Sequence, residues 1–260
     1  MKLSTSKSSS NKKYQALMLD VDGTTVVFKR GAMPSPRVKK AIFKAHKKIK
    51  VGLATARPLW DLNHIIEDLK IDMPCIIAGG AQIYDPIKKR IVWEKRIEYK
   101  DTLEILKITE KFKLNVVDDA DEKPTNNSLS KNYLLKQPLQ FWIEIPNKKT
   151  ATDFITAISK ISTISAIEVP SWNLQNTGVL ISHGQATKQH GILEVAKRLK
   201  IKTDQIIGVG DSNNDFPLLL ACGLKIAMGN ANDDLKQIAD FIAPSVEDDG
   251  VATIIEKFIL

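Results

Sequence analysis

Short apolar runs alternate with amphipathic segments along much of this chain, and this alternation limits the possible folds more than any other feature. In the first and last thirds of the chain, each apolar run precedes a segment whose apolar residues recur at helical spacing. In the first such segment, a predicted helix at residues 36–50, Val38, Ile42 and Ala45 share one face. Parallel strands need crossover connections, which are usually helices. We therefore predict an α/β core with a parallel sheet, formed by residues 14–81 and 184–260.

The stretch between these two segments has a different pattern. It contains a predicted hairpin around Asp85-Pro86, and a strand at residues 139–145 in which apolar and polar side chains alternate. Such alternation is typical of a sheet whose two faces have different surroundings. The polar residues 118–132 predict a loop. We therefore predict a second α/β layer that is inserted into the core at residues 82–183.

Composition and charge disfavour several classes of protein. Of the 260 residues, 43% are hydrophobic and 26% are charged, which is ordinary for a folded globular protein. The formal net charge is +8, but the lysines are spread along predicted helix faces without interleaved aromatic residues, which disfavours a nucleic-acid partner. No apolar stretch approaches the roughly 20 residues that span a bilayer. We therefore expect no membrane segment.

The N-terminal segment and the cysteines bear on where the protein works. Residues 1–13 are rich in Ser and Lys and lack the apolar region of a secretory signal, so we predict a disordered tail. Cys75 and Cys222 lie within apolar runs. We interpret them as buried thiols in a reducing compartment, which predicts a cytoplasmic protein.

Two carboxylates follow the first apolar run directly. Asp20-Val21-Asp22-Gly23-Thr24 comes after residues 16–19, at the C-terminal end of a predicted strand. In an open α/β sheet, ligands bind at this edge. An Asx turn that ends the strand would also explain a lone Asp-Gly pair. The functional interpretation therefore depends on residues elsewhere in the chain.

Further polar groups follow two other predicted strands and begin one helix. They are Thr55 and Arg57 after residues 51–54, Lys188 at the start of an amphipathic helix, and Asp211, Asn214 and Asp215 after residues 206–210. Asn214 or Asp215 alone would suit a helix cap, but capping does not require Asp211 as well. A carboxylate pair, a hydroxyl, an ammonium and a second acidic pair are suited to a phosphoryl group and a divalent cation. Carboxylate oxygens are the ligands that Mg²⁺ prefers.

The ordered set of motifs resembles the haloacid dehalogenase (HAD) superfamily of phosphotransferases. The matching residues are Asp20-Val21-Asp22-Gly23-Thr24, Thr55, Lys188 and Gly210-Asp211-Ser212-Asn213-Asn214-Asp215. Leu53-Ala54-Thr55-Ala56-Arg57-Pro58, the Asn214-Asp215 pair and Glu247-Asp248-Asp249-Gly250-Val251-Ala252 resemble its Cof-type branch, subfamily IIB. The resemblance runs from about residue 14 to residue 260. It implies a Rossmann-like core and an inserted α/β cap of the C2 type, which covers the active site and selects the substrate. One departure is Gly79, where relatives commonly carry Asn.

The resemblance implies a role for each acidic residue. Asp20 would attack phosphorus to form an aspartyl-phosphate, which splits one displacement into two easier ones. Asp22 would protonate the departing oxygen and later accept a proton from water. Mg²⁺ would be held by the carboxylates of Asp20 and Asp211 and by the main-chain carbonyl of Asp22, with Asp215 supporting the site.

The remaining polar residues would bind the phosphoryl group. Thr55 would donate a hydrogen bond to it, Lys188 would offset the negative charge, and Asn214 would bond either the phosphate or Lys188. Arg57 is left open between a contact with the substrate and a surface or domain contact. For Trp142 and Trp172 of the inserted layer, stacking on a sugar or base and packing in the core or between the domains are both left open.

The resulting hypothesis is a Mg²⁺-dependent phosphatase of small phosphorylated metabolites, such as sugar phosphates or nucleotide-like esters. A sugar phosphomutase of the same superfamily is the alternative enzyme. A phosphoacceptor signalling domain and a nucleic-acid binder are the non-enzymatic alternatives. The phosphoacceptor domain predicts a much shorter chain and leaves Gly23-Thr24 unexplained.

Overall fold

The computed structural model describes residues 14–118, 137–171, 173 and 175–260. Its strands are β1 (Ala16–Leu19), β2 (Lys50–Leu53), β3 (Cys75–Ile77), β4 (Gln82–Asp85), β5 (Arg90–Glu94), β6 (Val116–Asp118), β7 (Gln140–Ile145), β8 (Ile164–Pro170), β9 (Thr177–His183), β10 (Ile206–Gly210), β11 (Leu224–Ala227) and β12 (Phe241–Ile242). Its α-helices are α1 (Pro36–Ala45), α2 (Leu59–Asp68), α3 (Tyr99–Lys111), α4 (Lys148–Ile158), α5 (Lys188–Leu199), α6 (Phe216–Ala221), α7 (Asp233–Ile238) and α8 (Gly250–Phe258).

Five strands form a parallel sheet in the order β12-β11-β10-β1-β2. The register places Leu19 beside both Val209 and Leu53, so the central three strands end at nearly the same level. A single bridge between Ala54 and Ile76 attaches β3 beyond β2. The predicted parallel sheet is confirmed. The strand ends that carry the polar motifs therefore lie side by side.

Both faces of this sheet are buried, which explains why its strands are continuous apolar runs. Leu17 and Leu19 of β1 pack in one cluster with side chains of α1, α2 and α8. Ala16 and Met18 point to the other face and pack with side chains of α5, α6 and α7. This division follows from the pleat of the strand, which sends successive side chains to opposite faces.

The hairpin of β4 and β5 belongs to the core, and our prediction had placed it in the inserted layer. A short 3-10 turn at Ala78–Gly80 reverses the chain, and β4 then pairs antiparallel with β3. Ile83 and Trp93 pack in the same cluster as α5. The physical reason is that the edge of β3 needs a hydrogen-bonding partner, which the next segment supplies. The chain leaves the core only after β5.

The cap layer, defined here as α3, β6, β7, α4, β8 and β9, contains an antiparallel sheet. The strand order is β6-β7-β9-β8. Phe141, Ile143 and Ile145 of β7 are fully buried in a cluster with side chains of α3 and α4. The intervening side chains of Trp142 and Glu144 face the core instead. The predicted α/β fold, with a parallel core sheet and an inserted cap, is confirmed.

Helix α1 begins as its sequence predicts and ends earlier. The hydroxyl of Ser35 accepts a hydrogen bond from the Val38 amide, and Pro36 occupies the first turn. We predicted helix as far as residue 50, but the helix ends at Ala45, and Ile49 packs on the core from the turn that follows. Apolar spacing therefore continues past the end of the helix, because the turn covers the same cluster.

Some predictions fall on parts of the chain that the structure leaves undescribed. The predicted tail at residues 1–13 lies outside the described residues. So do Trp172 and the predicted loop at residues 118–132, apart from residue 118 itself. Within the described parts, none of the helices combines the length and the apolar character that crossing a membrane requires.

Candidate active site

The motif residues meet at the C-terminal edge of the core sheet. Asp20 directly follows β1, Asp211 directly follows β10, and Thr55 lies two residues after the end of β2. Lys188 is the first residue of α5, and the side chain of Thr187 caps that helix. Because parallel strands end at one edge, residues from distant parts of the sequence share one site.

The ammonium of Lys188 lies between two carboxylates. Its Nζ is 2.6 Å from Oδ1 of Asp20 and 2.6 Å from Oδ1 of Asp215, and all three side chains are buried. Burial disfavours the charged lysine, but the two carboxylates outweigh burial and raise the pKa of Lys188. Lys188 is therefore a permanent positive charge beside Asp20.

Asp20, Asp211 and Asp215 form a cluster in which one carboxylate oxygen of each lies within 4.8 Å of the others. Burial raises the pKa of Asp211 to about 7, and the charge of Asp215 contributes to the shift. Burial likewise raises the pKa of Asp20 well above its usual value. When all three are ionised, Lys188 balances only one of the negative charges. The donor set therefore fits a divalent cation such as Mg²⁺, which takes carboxylate oxygens as ligands.

The second carboxylate oxygen of Asp215 organises the loop after β10. Its Oδ2 accepts hydrogen bonds from the backbone amides of Asp211 and Ser212, each 3.0 Å long. A Cβ at Gly210 would lie 2.4 Å from the Cβ of Asp215, so glycine at that position lets the two segments approach. Asp215 thus orients Asp211 through the backbone while its other oxygen pairs with Lys188.

Gly23 permits the turn that separates the two carboxylates of the first motif. Its φ is +80°, a left-handed conformation, and a Cβ there would lie 2.3 Å from Oδ2 of Asp211. The next residue, Thr24, donates a hydrogen bond of 2.7 Å from its hydroxyl to Oδ1 of Asp211. The turn therefore packs directly against the carboxylate cluster while Asp22 points elsewhere.

Asp22 is paired with Arg57. The Arg57 Nε and Nη2 atoms donate hydrogen bonds of 2.8 and 2.6 Å to the two carboxylate oxygens of Asp22. Arg57 Nη1 also lies 3.6 Å from the carboxylate of Asp61 on α2. The Arg57 side chain is only 5% exposed. The alternative that Arg57 is a surface residue is therefore wrong. A contact between Arg57 and the substrate stays a prediction.

Thr55 and Asn214 also lie at the site. The buried hydroxyl of Thr55 accepts a hydrogen bond from the Arg57 amide at 3.1 Å, which leaves its proton available for another acceptor. Oδ1 of Asn214 accepts from the Ser212 hydroxyl at 2.5 Å. The hydrogen bonds that the structure assigns to Lys188 go to Asp20 and Asp215, so Asn214 bonds Ser212 in place of the predicted Lys188.

A cavity of about 270 Å³ lies between the core and the cap layer. Its lining contains polar residues from the strand ends, aromatic residues and part of the cap sheet. From the core these include Asp20, Asp22, Thr55, Arg57, Trp60, Asp61 and Asn214, and from the cap layer they include Gln140, Trp142, Glu144, Val169 and Pro170. The motif residues therefore line a compartment that is large enough for a small molecule.

Three residues at the site were absent from our predictions. Asn230, after β11, donates a hydrogen bond of 2.8 Å from its amide to the carbonyl of Gly23. Asp61 lies four residues after Arg57, in the first turn of α2, with its carboxylate 3.6 Å from Arg57 Nη1. Gln140 donates from its amide to the carbonyl of Ala56 at 3.3 Å, which links the cap to the core. A polar residue at a strand end was the available signal for Asn230.

A family model of haloacid dehalogenase-like hydrolases matches two overlapping stretches of the chain, residues 17–166 and 118–255. The chain belongs to the haloacid dehalogenase-like hydrolases. The predicted resemblance to this superfamily is confirmed. The hydrolase is a phosphoric monoester hydrolase, as predicted.

Several relatives match this hydrolase over nearly its whole length, and solved structures share its fold. The 5-amino-6-(5-phospho-D-ribitylamino)uracil phosphatase YcsE of Bacillus subtilis is 25% identical over 246 residues, which cover 94% of this chain and 95% of YcsE. The stress response protein YhaX of Bacillus subtilis is 26% identical over 272 residues, covering 94% and 93%. Among solved structures, the HAD phosphatase BT1666 of Bacteroides thetaiotaomicron matches with a TM-score of 0.81 at 22% identity, covering 96% of each chain. The subclass IIB sugar phosphatase BT4131 matches with a TM-score of 0.77 at 21% identity, covering 94% and 98%. The core and cap arrangement is thus shared at low sequence identity.

Proposed function

We propose that this hydrolase is a Mg²⁺-dependent phosphatase of small phosphorylated metabolites that works through an aspartyl-phosphate. One observation carries the proposal: Asp20 and Asp22 line the same cavity in different electrostatic settings. Asp20 contacts Lys188 within the carboxylate cluster, whereas Asp22 is paired with Arg57. Two carboxylates in different surroundings suit two different chemical roles.

In the first step, a carboxylate oxygen of Asp20 attacks phosphorus, and the bond from phosphorus to the ester oxygen breaks. Asp22 gives a proton to that departing oxygen, which leaves as an alcohol. In the second step, Asp22 accepts a proton from water, whose oxygen attacks the same phosphorus. The bond between phosphorus and Asp20 then breaks, which releases inorganic phosphate and restores the carboxylate.

The surrounding residues stabilise the charge that these steps involve. Lys188 holds Asp20 in place, and the Thr55 hydroxyl and the Asn214 amide bind phosphoryl oxygens. The carboxylates of Asp20 and Asp211 and the carbonyl of Asp22 would hold Mg²⁺, with Asp215 orienting Asp211. When bound, the cation supplies positive charge that offsets the phosphoryl group and the clustered carboxylates.

The cavity and the relatives support a small substrate. A volume of about 270 Å³ suits a metabolite rather than a polymer. YcsE is named as a phosphatase of a ribitylaminouracil phosphate, and BT4131 as a sugar phosphatase. The proposal divides the core from the cap after β5, near residue 95, and again near the predicted residue 183, because the β4–β5 hairpin belongs to the core. Two buried free cysteines, Cys75 and Cys222, support a reducing compartment such as the cytoplasm.

The experiment is phosphate release from a panel of sugar phosphates, nucleotides and p-nitrophenyl phosphate, with Mg²⁺ and with EDTA. Asp20→Asn, prepared identically, controls for contaminating phosphatases. We expect release that requires Mg²⁺ and that is absent in the variant. Near wild-type turnover by Asp20→Asn would contradict the mechanism. Isomerised sugar phosphate, formed only when a sugar bisphosphate is added, would favour a phosphomutase instead.

A further inference from the structure

The cap sheet presents three side chains of one strand to the core, and they differ in what they contact. Gln140 bonds the carbonyl of Ala56, and its Oε1 would lie 3.1 Å from a Cβ at Gly79. Trp142 and Glu144 follow at alternate positions on the same face, because side chains two residues apart on a strand share a face. Gln140 thus joins the cap to the core, and the next two side chains line the cavity.

The indole of Trp142 lies close to the backbone of the neighbouring strand. A Cβ at Gly178 would lie 3.0 Å from Cζ2 of Trp142 and 3.0 Å from a methyl carbon of Val169. Gly178 is the register partner of Glu144, so the indole extends along the sheet toward that carboxylate. Glycine at residue 178 therefore makes room for the ring, and Val169 packs beside it.

The carboxylate of Glu144 is held by neutral donors. Its Oε1 accepts a hydrogen bond of 2.8 Å from the Ser171 hydroxyl, and its Oε2 accepts one of 3.4 Å from the Asn176 amide. The Ser171 hydroxyl in turn accepts from the backbone amide of Asn173. Among the described residues, Glu144 forms no ion pair. An ionised carboxylate has about four acceptor positions, so two of those on Glu144 remain for a ligand.

We propose that Trp142 and Glu144 select the alcohol part of the substrate, and that this part is a planar group bearing N–H or O–H donors. The inference rests on the proposed phosphatase function. Trp142 offers a flat apolar surface on which a ring stacks. Glu144 accepts hydrogen bonds and disfavours groups that carry only acceptors. The two cap-layer side chains thus recognise two separate properties of one leaving group, its flat ring and its hydrogen-bond donors.

The test uses pairs of esters that differ in one substituent. One pair is p-aminophenyl and p-nitrophenyl phosphate, and a longer pair is cytidine and uridine 5′-monophosphate. In each pair, an exocyclic amino donor is replaced by an acceptor on a ring of similar size. The uracil ring also gains an N3–H donor, so the phenyl pair is the stricter comparison. Ribitol 5-phosphate supplies donors without a plane. Values of kcat and KM are measured for the wild type, Glu144→Gln and Trp142→Leu. Glu168→Gln is the matched control, because Glu168 lies opposite Val179 and so on the other face of the cap sheet.

We expect Glu144→Gln to raise KM about tenfold for the amino ester of at least one pair, with a smaller change for its partner. Comparing each variant with the wild type cancels the different reactivity of the phenols. We expect Trp142→Leu to raise KM about tenfold for both members of that pair and to change KM for ribitol 5-phosphate less than about twofold. In each case kcat changes less than KM, because the lost contact is remote from phosphorus.

Other outcomes separate this inference from the function on which it rests. A purely structural Glu144 would lower the thermal unfolding midpoint and raise KM for every ester alike, which would overturn the inference. Unchanged preference within both pairs, in a wild-type protein whose phosphate release requires Asp20, would overturn the inference alone. Absence of phosphate release from every ester by the wild type would overturn the proposed function and the inference together.

Discussion

The guanidinium of Arg57 holds the carboxylate of Asp22 in a two-point contact, with hydrogen bonds of 2.6 and 2.8 Å. Two parallel hydrogen bonds fix both the position and the plane of a carboxylate. Asp61, four residues further along, lies 3.6 Å from the same guanidinium. Arg57 thus orients the residue that we assign to proton transfer, and α2 in turn supports Arg57.

Arg57→Lys tests this orientation, because lysine keeps the charge and loses the planar pair of donors. We expect kcat to fall about 10- to 100-fold, at or below the lower end of the roughly 10²- to 10⁴-fold that general acid and base catalysis contributes, because Asp22 itself is retained. The Mg²⁺ concentration for half-maximal activity should stay the same, because the Asp22 side chain lies outside the carboxylate cluster. Arg90→Lys on the exposed edge of β5 is the control. Unchanged kcat in Arg57→Lys would contradict the assigned role.

Lys188→Met should destabilise the fold. The substitution keeps most of the side-chain volume but leaves the carboxylates of Asp20 and Asp215 buried without their ammonium partner. Removing one member of a buried ion pair typically costs about 3–5 kcal/mol in the free energy of unfolding. Urea denaturation in EDTA measures this loss, and added Mg²⁺ should recover part of it.

A double variant checks the reason for that loss. Combined with Asp215→Asn, Lys188→Met should cost less than the two single changes together, because fewer uncompensated charges remain. Strictly additive losses would show that Lys188 and Asp215 do not interact energetically, which would contradict the contact.

Asp211→Ala should raise the Mg²⁺ requirement. Asp211 contributes one of the three clustered carboxylates, and its loss removes a proposed ligand. We expect the half-saturating Mg²⁺ concentration to rise by more than about tenfold, since even changes around metal ligands cost that much in affinity. Activity is titrated with Mg²⁺ for this variant and for Asp233→Ala, which alters an exposed aspartate on α7. An identical Mg²⁺ dependence in the wild type and Asp211→Ala would remove Asp211 from the site.

Gly80 and Gly31 are a matched pair for testing close backbone approach. Both have positive φ, +113° and +72°, but a Cβ at Gly80 would lie 2.3 Å from the carbonyl carbon of Thr187, whereas nothing lies within 4 Å of one at Gly31. Gly31→Ala should cost about 1–2 kcal/mol of unfolding free energy through backbone strain alone. Gly80→Ala should cost roughly 3 kcal/mol or more and should also lower kcat, because Thr187 directly precedes Lys188. Equal losses in urea denaturation would contradict the close approach.

Cys75 and Cys222 should resist alkylation in the folded protein. Burial raises the pKa of each thiol to about 12, so the reactive thiolate is scarce at neutral pH. Iodoacetamide at pH 7.5 should leave both thiols unmodified by mass spectrometry in the native protein and modify both in urea. Rapid modification of either residue under native conditions would show that it is accessible.

Patterns that are local in sequence predicted most of the core. The continuous apolar run at residues 16–19 predicted a buried strand, and the amphipathic spacing of Val38 and Ile42 predicted a helix. The hairpin was predicted as a hairpin but placed in the inserted layer, because nothing local in Ile83 or Trp93 says which sheet they join. That choice depended on the free edge of β3, which exists only in the folded core.

At the candidate active site, the sequence predicted the types of the functional residues, but it did not predict several of their hydrogen-bonding partners. Asp20, Asp22, Thr55 and Asp211 stand out because acids and a hydroxyl follow apolar runs, and Lys188 completes the family motif at the start of a helix. The sequence gives no signal for the pairing of Asp22 with Arg57, because an arginine just after a strand is often a surface residue. The hydrogen bond from Asn230 to Gly23 joins two loops whose proximity depends on the strand order β11-β10-β1.

The amino-acid sequence alone determined the α/β class, the inserted cap and the chemical inventory, because periodicity and strand-end motifs are properties of neighbouring residues. Only the tertiary structure decided that Lys188 lies between Asp20 and Asp215, that Arg57 holds Asp22, and that Trp142 and Glu144 face the same cavity. These relationships depend on the order of strands in the sheet and on how the cap layer packs against the core. Both are set by packing among residues far apart in the chain, where the buried area and the pairing of charges determine which arrangement has the lowest free energy.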